Sequence, residues 1–224
     1  VLAKYAAEPK EALRINFCID PIIKNLSTEG DFCCKTGDEC FDTIAELIKA
    51  TAEYKHIRVV NVTGATFSNS GSTIVEELAF TLSAAHEYLV KLMERGLTID
   101  EVARKIRFSF AVTANYFMEM AKFRAARLLW ANIVKAYNPE KQCACKLFAH
   151  AVTSAWNQTV YDPYVNMLRG TTEAMSAAIA GVHSLEVLPF DYAFEAPTEF
   201  SQRIARNSEL LLKHESPFDQ VVDP

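Results

Sequence analysis

Few side chains in this sequence are placed to do chemistry. Arg107 and Ser109 stand two apart in Arg107-Phe108-Ser109, at the head of a run rich in Phe and Val. Alternate residues of a strand project to one side, so the pair shares a face. A guanidinium at a strand mouth suits phosphate or carboxylate, with the serine hydroxyl pointing the same way. The competing reading is an arginine at a strand start paired with an acidic neighbour, Asp100 or Glu101. His150 lies within Lys146–Trp156, KLFAHAVTSAW, as a ligand contact or as a hydrogen-bonded core histidine. Thr63–Ser72, TGATFSNSGS, is the one small-residue loop; alone it is a weak phosphate cradle, and neither G-x-G-x-x-G nor a Walker motif occurs.

The cysteines are Cys18, Cys33, Cys34, Cys40, Cys143 and Cys145. Their spacing makes no C-x-x-C pair and no histidine stands near them in sequence, so no metal site is expected. Half of the 224 residues are hydrophobic, enough for a large core that needs no disulfide staples, so reduced, structural thiols and a cytoplasmic setting are expected. No run of about 18 apolar residues occurs, which excludes a membrane-spanning helix. The net charge of −5, with both signs interspersed, argues against a nucleic-acid partner. The chain opens in mid-structure at VLAKYAAEPKEALRINF and stops at VVDP, so it is expected to be a piece of a longer polypeptide.

The elements that must position these side chains alternate. Strand-like runs fall at Arg14–Ile19, His56–Thr63, Ile106–Thr113, Lys146–Thr153 and Ser184–Leu188. Helix-like runs fall at Asp42–Glu53, Thr73–Arg95, Ala114–Tyr137, Tyr164–Ala180 and Pro197–His214. Such alternation predicts a parallel sheet with crossover helices, either doubly wound or part of a barrel. In Ala114–Tyr137, with Asn115 as N-cap, the residues Phe117, Met118, Ala121, Ala125, Leu128 and Leu129 form a charge-free face, expected to be core. Tyr116, Phe123 and Trp130 recur on the opposite side. Asp162-Pro163-Tyr164 and Thr198-Glu199 are expected helix starts.

RFSFAVTANYFMEMAKFRAARLLWA resembles the strand–helix segment of the adenosylcobalamin-dependent methylmalonyl-CoA mutase family, and the likeness continues through YDPYVNMLRGTTEAM and PTEFSQRIARNSELLL. The resemblance implies an α/β fold, a parallel (β/α)8 TIM-type barrel. The chain then holds roughly its C-terminal five βα units, with residues 1–224 part of a single barrel domain and no cobalamin-binding domain. Five units do not close an eight-stranded barrel, so the early strands lie outside the chain. It further implies that Arg107 and Ser109 hold an acyl-CoA substrate.

The departures from the family pattern carry the functional expectation. The family places a Tyr-His pair six and five residues before the glycine that stands at Gly71; the histidine assists the radical rearrangement and the tyrosine helps eject the adenosyl group. Here those positions are Ala65 and Thr66, which offer no acid–base group near neutral pH. Against the family pattern R-T-H-C-Q-T-S-G-W, His150, Thr153, Ser154 and Trp156 match, while Phe148 and Val152 replace an Arg and a Gln. His150 is therefore a remnant. No histidine sits in the cobalt-binding motif D-x-H-x-x-G. The resemblance thus implies the small, non-catalytic subunit of a heterodimeric methylmalonyl-CoA mutase, with no catalytic residue and Arg107, Ser109 and His150 as a substrate-side remnant. Its partner is a large catalytic subunit that holds most of the adenosylcobalamin. The alternatives are the catalytic chain of a related acyl-CoA mutase and a metabolite-binding barrel.

Overall fold

The computed structural model describes residues 13–24 and 37–221; Cys33 and Cys34 lie outside the described residues. The strands are β1 (Asn16–Ile19), β2 (Arg58–Thr63), β3 (Ile106–Val112), β4 (Ala149–Thr153) and β5 (Ser184–Glu186). The helices are α1 (Pro21–Lys24), α2 (Gly37–Ala50), α3 (Ala65–Asn69), α4 (Ile74–Met93), α5 (Ile99–Ala103), α6 (Tyr116–Lys135), α7 (Val165–Ile179) and α8 (Glu199–His214). The sheet runs β1-β2-β3-β4-β5 in chain order. β1–β2, β3–β4 and β4–β5 pair in parallel, and the amides of Val59 and Val60 donate to the Lys105 carbonyl. Sequential parallel strands with a helix between each pair are consecutive βα units of a parallel α/β barrel, as expected.

Each expected strand is present but shorter. β4 begins only at Ala149 because Gln142–Cys145 wind into a 3-10 turn first. α5 was not expected, although Thr98 and Glu101 mark its start. They form a capping box in which each side chain accepts from the other's backbone N–H. Among the described residues no helix is long and apolar enough to cross a membrane. Cys40 is buried and disulfide-bonded, while Cys18, Cys143 and Cys145 are free. The expectation of reduced thiols therefore fails at Cys40, because composition does not say which thiols the fold brings within bonding reach.

The chain divides into two compact units that interleave in sequence. The first runs through Thr63, then takes Leu82–Arg107 and Leu129–Leu147. Its core gathers Ile44 and Ile48 from α2, Ile57 and Val59 at β2, Leu89 and Leu92 from α4, and Trp130 and Val134 from α6. The carboxyl ends of β1 and β2 are tied by one acid. Asp20, wholly buried, accepts from the Tyr88 hydroxyl at 2.7 Å, the Thr63 amide at 2.7 Å and the Ile23 amide at 3.3 Å. Burial pushes the Asp20 carboxyl up against the opposing pull of those donors. Burial and the facing Asp20 push the Tyr88 hydroxyl far above its ordinary value.

The second unit takes Gly64–Thr81, Phe108–Leu128 and the chain from Phe148 onward. Its core is aromatic at β3, where Phe110 meets Phe123 of α6 edge-on with centroids 5.7 Å apart. It is small-residue elsewhere: Ala149, Ala151, Ala174 and Ala177 are all fully buried.

α6 turns the opposite way from the sequence expectation. Phe117 is 78% exposed and Leu128 64%, with Met118 and Leu129 also exposed, whereas Phe123, Ala126 and Trp130 are fully buried. The reason is electrostatic. Glu119 and Lys122, which lie off the charge-free face of this helix, point inward with Phe123, and their charges offset one another there. The Lys122 Nζ lies 2.6 Å from Glu77 Oε2 of α4, 2.5 Å from Glu119 Oε2 and 2.6 Å from the Ala111 carbonyl. Its side chain and that of Glu119 have no exposed surface. Removing the cation alone leaves two buried carboxylates unpaired. Lys122→Met should therefore cost about 3–5 kcal/mol of unfolding free energy in chemical denaturation. Leu128→Ala, on the exposed face, should change it by about 0.5 kcal/mol or less.

Candidate functional site at the strand mouths

In a parallel α/β barrel, side chains that act on a ligand sit at the carboxyl ends of strands and in the loops after them. After β2 the chain enters α3 at once. A Cβ on Gly64 would lie 2.2 Å from the Thr81 Oγ1 and 3.2 Å from the Ser109 carbonyl oxygen. Glycine therefore lets this turn seat against β3 and α4. Ala65 and Thr66 open the helix that follows, Ala65 buried and Thr66 half-buried. The loop's amides are not free to cradle a phosphate. The amides of Phe67, Ser68, Ser70, Gly71 and Ser72 all donate to backbone carbonyls within the same loop. Gly71 adopts φ 96°, which favours glycine, and faces the Trp156 ring at 3.6 Å.

Arg107, only 9% exposed, lies in the first unit. Neither acidic neighbour holds it. Asp100 accepts the amides of Glu140 and Lys141, and Glu101 is committed to the capping box of α5. Instead one guanidinium nitrogen of Arg107 donates to the Cys18 sulfur at 3.4 Å, and its Nε is buried with no hydrogen-bond partner.

In the second unit the sheet register sets Ser109 beside His150. Both are buried. The His150 Nδ1 meets the Ser184 hydroxyl at 2.9 Å, and its Nε2 lies 3.6 Å from a Glu186 carboxylate oxygen. This is a hydrogen-bonded histidine held across β4 and β5. Phe148 stacks on His183 with centroids 4.4 Å apart, and Val152 sits in register with Ala111. Apolar contacts thus fill these positions. The helix start expected at Asp162 falls later: α7 begins at Val165, after a turn in which the Val165 amide donates to the Asp162 carbonyl. Thr198 caps α8 as expected, its hydroxyl accepting from the Ser201 amide at 3.1 Å.

Glu173 and Lys105 are among the titratable groups that the sequence reading missed. Glu173 of α7, buried, accepts the Ser154 amide at 3.0 Å and the Asn157 side-chain amide at 2.9 Å. Burial pushes its carboxyl up to about 7, with the Glu119 charge adding and the hydrogen bonds opposing. The signal was legible, because Glu173 stands three residues after Gly170 and four before Ala177, on the small-residue stripe of its helix. In the first unit, Lys105 donates to the carbonyls of Thr51 at 2.6 Å and Tyr54 at 2.8 Å and lines a cavity of about 480 Å3. Burial, Arg58 and Arg104 push its ammonium down to about 8. Its sequence offered no such signal.

The strand order and the polar residues gathered at β3 and β4 define the chain as part of a parallel α/β-barrel protein. A model of the methylmalonyl-CoA mutase family matches residues 3–224. Over 179 residues the chain is 49% identical to the methylmalonyl-CoA mutase small subunit of Porphyromonas gingivalis, covering 80% of this chain and 29% of that protein. It is 43% identical over 182 residues to a methylmalonyl-CoA mutase of Rhizobium meliloti, covering 81% and 26%. It is 41% identical over 165 residues to the methylmalonyl-CoA mutase large subunit of Streptomyces virginiae, covering 74% and 22%. The chain belongs to the methylmalonyl-CoA mutase family, and it spans less than a third of the length of these relatives.

Glu173 gives the site a pH signature. Its carboxyl is raised in the folded chain, so its favourable contribution is complete below about pH 4.5, the ordinary glutamate value, and is lost as pH rises through about 7. Glu173→Gln removes this dependence. The stability of the native sequence relative to E173Q should therefore fall by about 1–3 kcal/mol between pH 4.5 and 7.5. Denaturation curves across that range measure it.

Proposed function

We propose that this chain is part of the small, non-catalytic subunit of a heterodimeric methylmalonyl-CoA mutase, which interconverts methylmalonyl-CoA and succinyl-CoA in the cytoplasm. The observation that carries the reading is the pair Ala65-Thr66. These residues stand where the family places its Tyr-His pair, and Ala65 is a buried methyl at the start of a short helix. Neither side chain moves a proton near neutral pH. The greater identity to a named small subunit, 49%, than to a named large subunit, 41%, supports the same reading.

The family's cofactor, adenosylcobalamin, supplies the radical that starts the 1,2-shift when it is bound. The described residues do not fit it as a cobalt ligand set. His86 is bonded to the Tyr137 hydroxyl at 2.7 Å, His150 to Ser184, and His183 accepts the Ala149 amide at 3.2 Å. His56 and His214 are exposed, one just before β2 and the other at the end of α8. The large subunit would hold the cofactor, and no step of the reaction is routed through this chain. What this chain retains is Arg107, with Ser109 and His150, as a remnant of an acyl-CoA site. Among the described residues no carboxylate pairs with the buried guanidinium, which leaves it able to take an acidic or amide oxygen of a CoA ester.

The test is a mutase assay with adenosylcobalamin on the isolated full-length subunit and then on the subunit reconstituted with its large partner. The isolated subunit should show no turnover above background, and the pair should be active. Turnover by the isolated subunit at a rate near that of the pair overturns the reading.

A further inference from the structure

Arg107 and Cys18 form a contact that the reading above leaves unused. Arg107 is more than nine-tenths buried, its only side-chain hydrogen bond among the described residues is to the Cys18 sulfur at 3.4 Å, and its Nε has no partner. A buried guanidinium without an anion bears a desolvation cost that a negative group beside it would offset. The group it faces is a free, exposed thiol. Cys18 adopts φ 54°, in the left-handed region, at the irregularity in the β1–β2 pairing between Asn16 and Ile19. The sulfur is therefore reachable from solvent on one side and hydrogen-bonded to a cation on the other.

We propose that Cys18 is an oxidation site whose sulfinate is held by Arg107. The oxidant is a peroxide. In the first step an S–O bond forms as the O–O bond of hydrogen peroxide breaks; sulfur is oxidised to the sulfenic acid and water leaves. A second peroxide oxidises the sulfenic to the sulfinic acid, again releasing water, and the acid proton passes to solvent. The sulfinate carries a negative charge beside the guanidinium, and its oxygens extend from the sulfur, which is already in contact with it at 3.4 Å, to accept a charge-assisted hydrogen bond. Cys143 is the internal reference. It is also free and exposed, and no hydrogen bond reaches its sulfur among the described residues. Where Arg107 holds an acyl-CoA, as proposed above, the sulfinate competes for the same guanidinium.

The experiment treats the full-length chain with limiting hydrogen peroxide, traps sulfenic acid with dimedone, and reads Cys18 and Cys143 peptides by mass spectrometry. Cys18 should be modified about tenfold faster than Cys143, the worth of one charge-assisted hydrogen bond. In R107Q, with its circular dichroism unchanged, the two rates should converge. Equal or slower modification of Cys18 in the native sequence overturns the proposal, and that ratio needs no variant. An unchanged ratio in folded R107Q overturns it as well. Binding of a CoA ester is measured separately before and after peroxide. Selective oxidation of Cys18 with undiminished CoA-ester affinity supports the oxidation site and counts against Arg107 as the CoA-ester holder.

Discussion

The buried ammonium of Lys122 is the constraint on which the second unit depends. It carries one positive charge between two carboxylates, and the excess negative charge is spread over backbone donors. Glu77 accepts the Ala111 amide at 2.8 Å, and Glu119 accepts the Thr113 amide at 3.0 Å and its hydroxyl at 2.6 Å. Even so, burial outweighs the pull of Lys122 and pushes the Glu77 carboxyl up. A buried ionic group of this kind is weak evidence for stability as such, since a well-packed apolar core of equal volume often does as well. What it supplies is register. Glu77 takes an amide within β3 and Glu119 the amide just past its end, which ties α4 and α6 to one register on that strand.

The same device recurs at the other strand ends of each unit. A parallel strand leaves amides beyond its last ladder bond, and a buried amide must find an acceptor. Asp20 takes the amide of Thr63 at the end of β2, Glu173 that of Ser154 after β4, and Glu209 that of Val187 after β5. Burial raises the carboxyl of every one of these acids, Asp20, Glu77, Glu173 and Glu209 alike. The strand mouths are thus closed by structural carboxylates. Amides held this way cannot turn toward a phosphate or an oxyanion, which leaves side chains such as Arg107 to meet any ligand.

How much of this was legible in the sequence depends on the range of the interaction. Strand alternation, the helix at Thr198 and the βα order follow from neighbours a few residues apart. The face of α6 does not, because Glu119 and Lys122 lie off its charge-free face and turn inward only once Glu77, more than forty positions earlier, is placed beside them. Arg107 shows the same gap. Its nearby acids made a plausible pair, yet both are spent on backbone amides, and its contact comes from Cys18, 89 residues away. Asp162-Pro163 was misread for a local reason: the proline closes a turn before α7 and does not open the helix itself. The (β/α)8 class followed from family resemblance, since five βα units also suit a doubly wound sheet.

The departure at Ala65-Thr66 goes deeper than two missing functional groups. Position 65 is 7% exposed and follows a glycine at which a single added carbon would meet the Thr81 side chain at 2.2 Å. The loop after β2 is wound into α3, with Phe67 packed on Phe80 at 5.3 Å and Asn69 accepting the Ala155 amide at 3.2 Å. A larger side chain at a buried position of this kind overpacks it by about 1–3 kcal/mol unless the turn itself moves. The turn is closely packed here. Such packing accords with the reading proposed above, in which this strand mouth is held by small residues and buried acids and the proton-moving groups belong to the partner subunit.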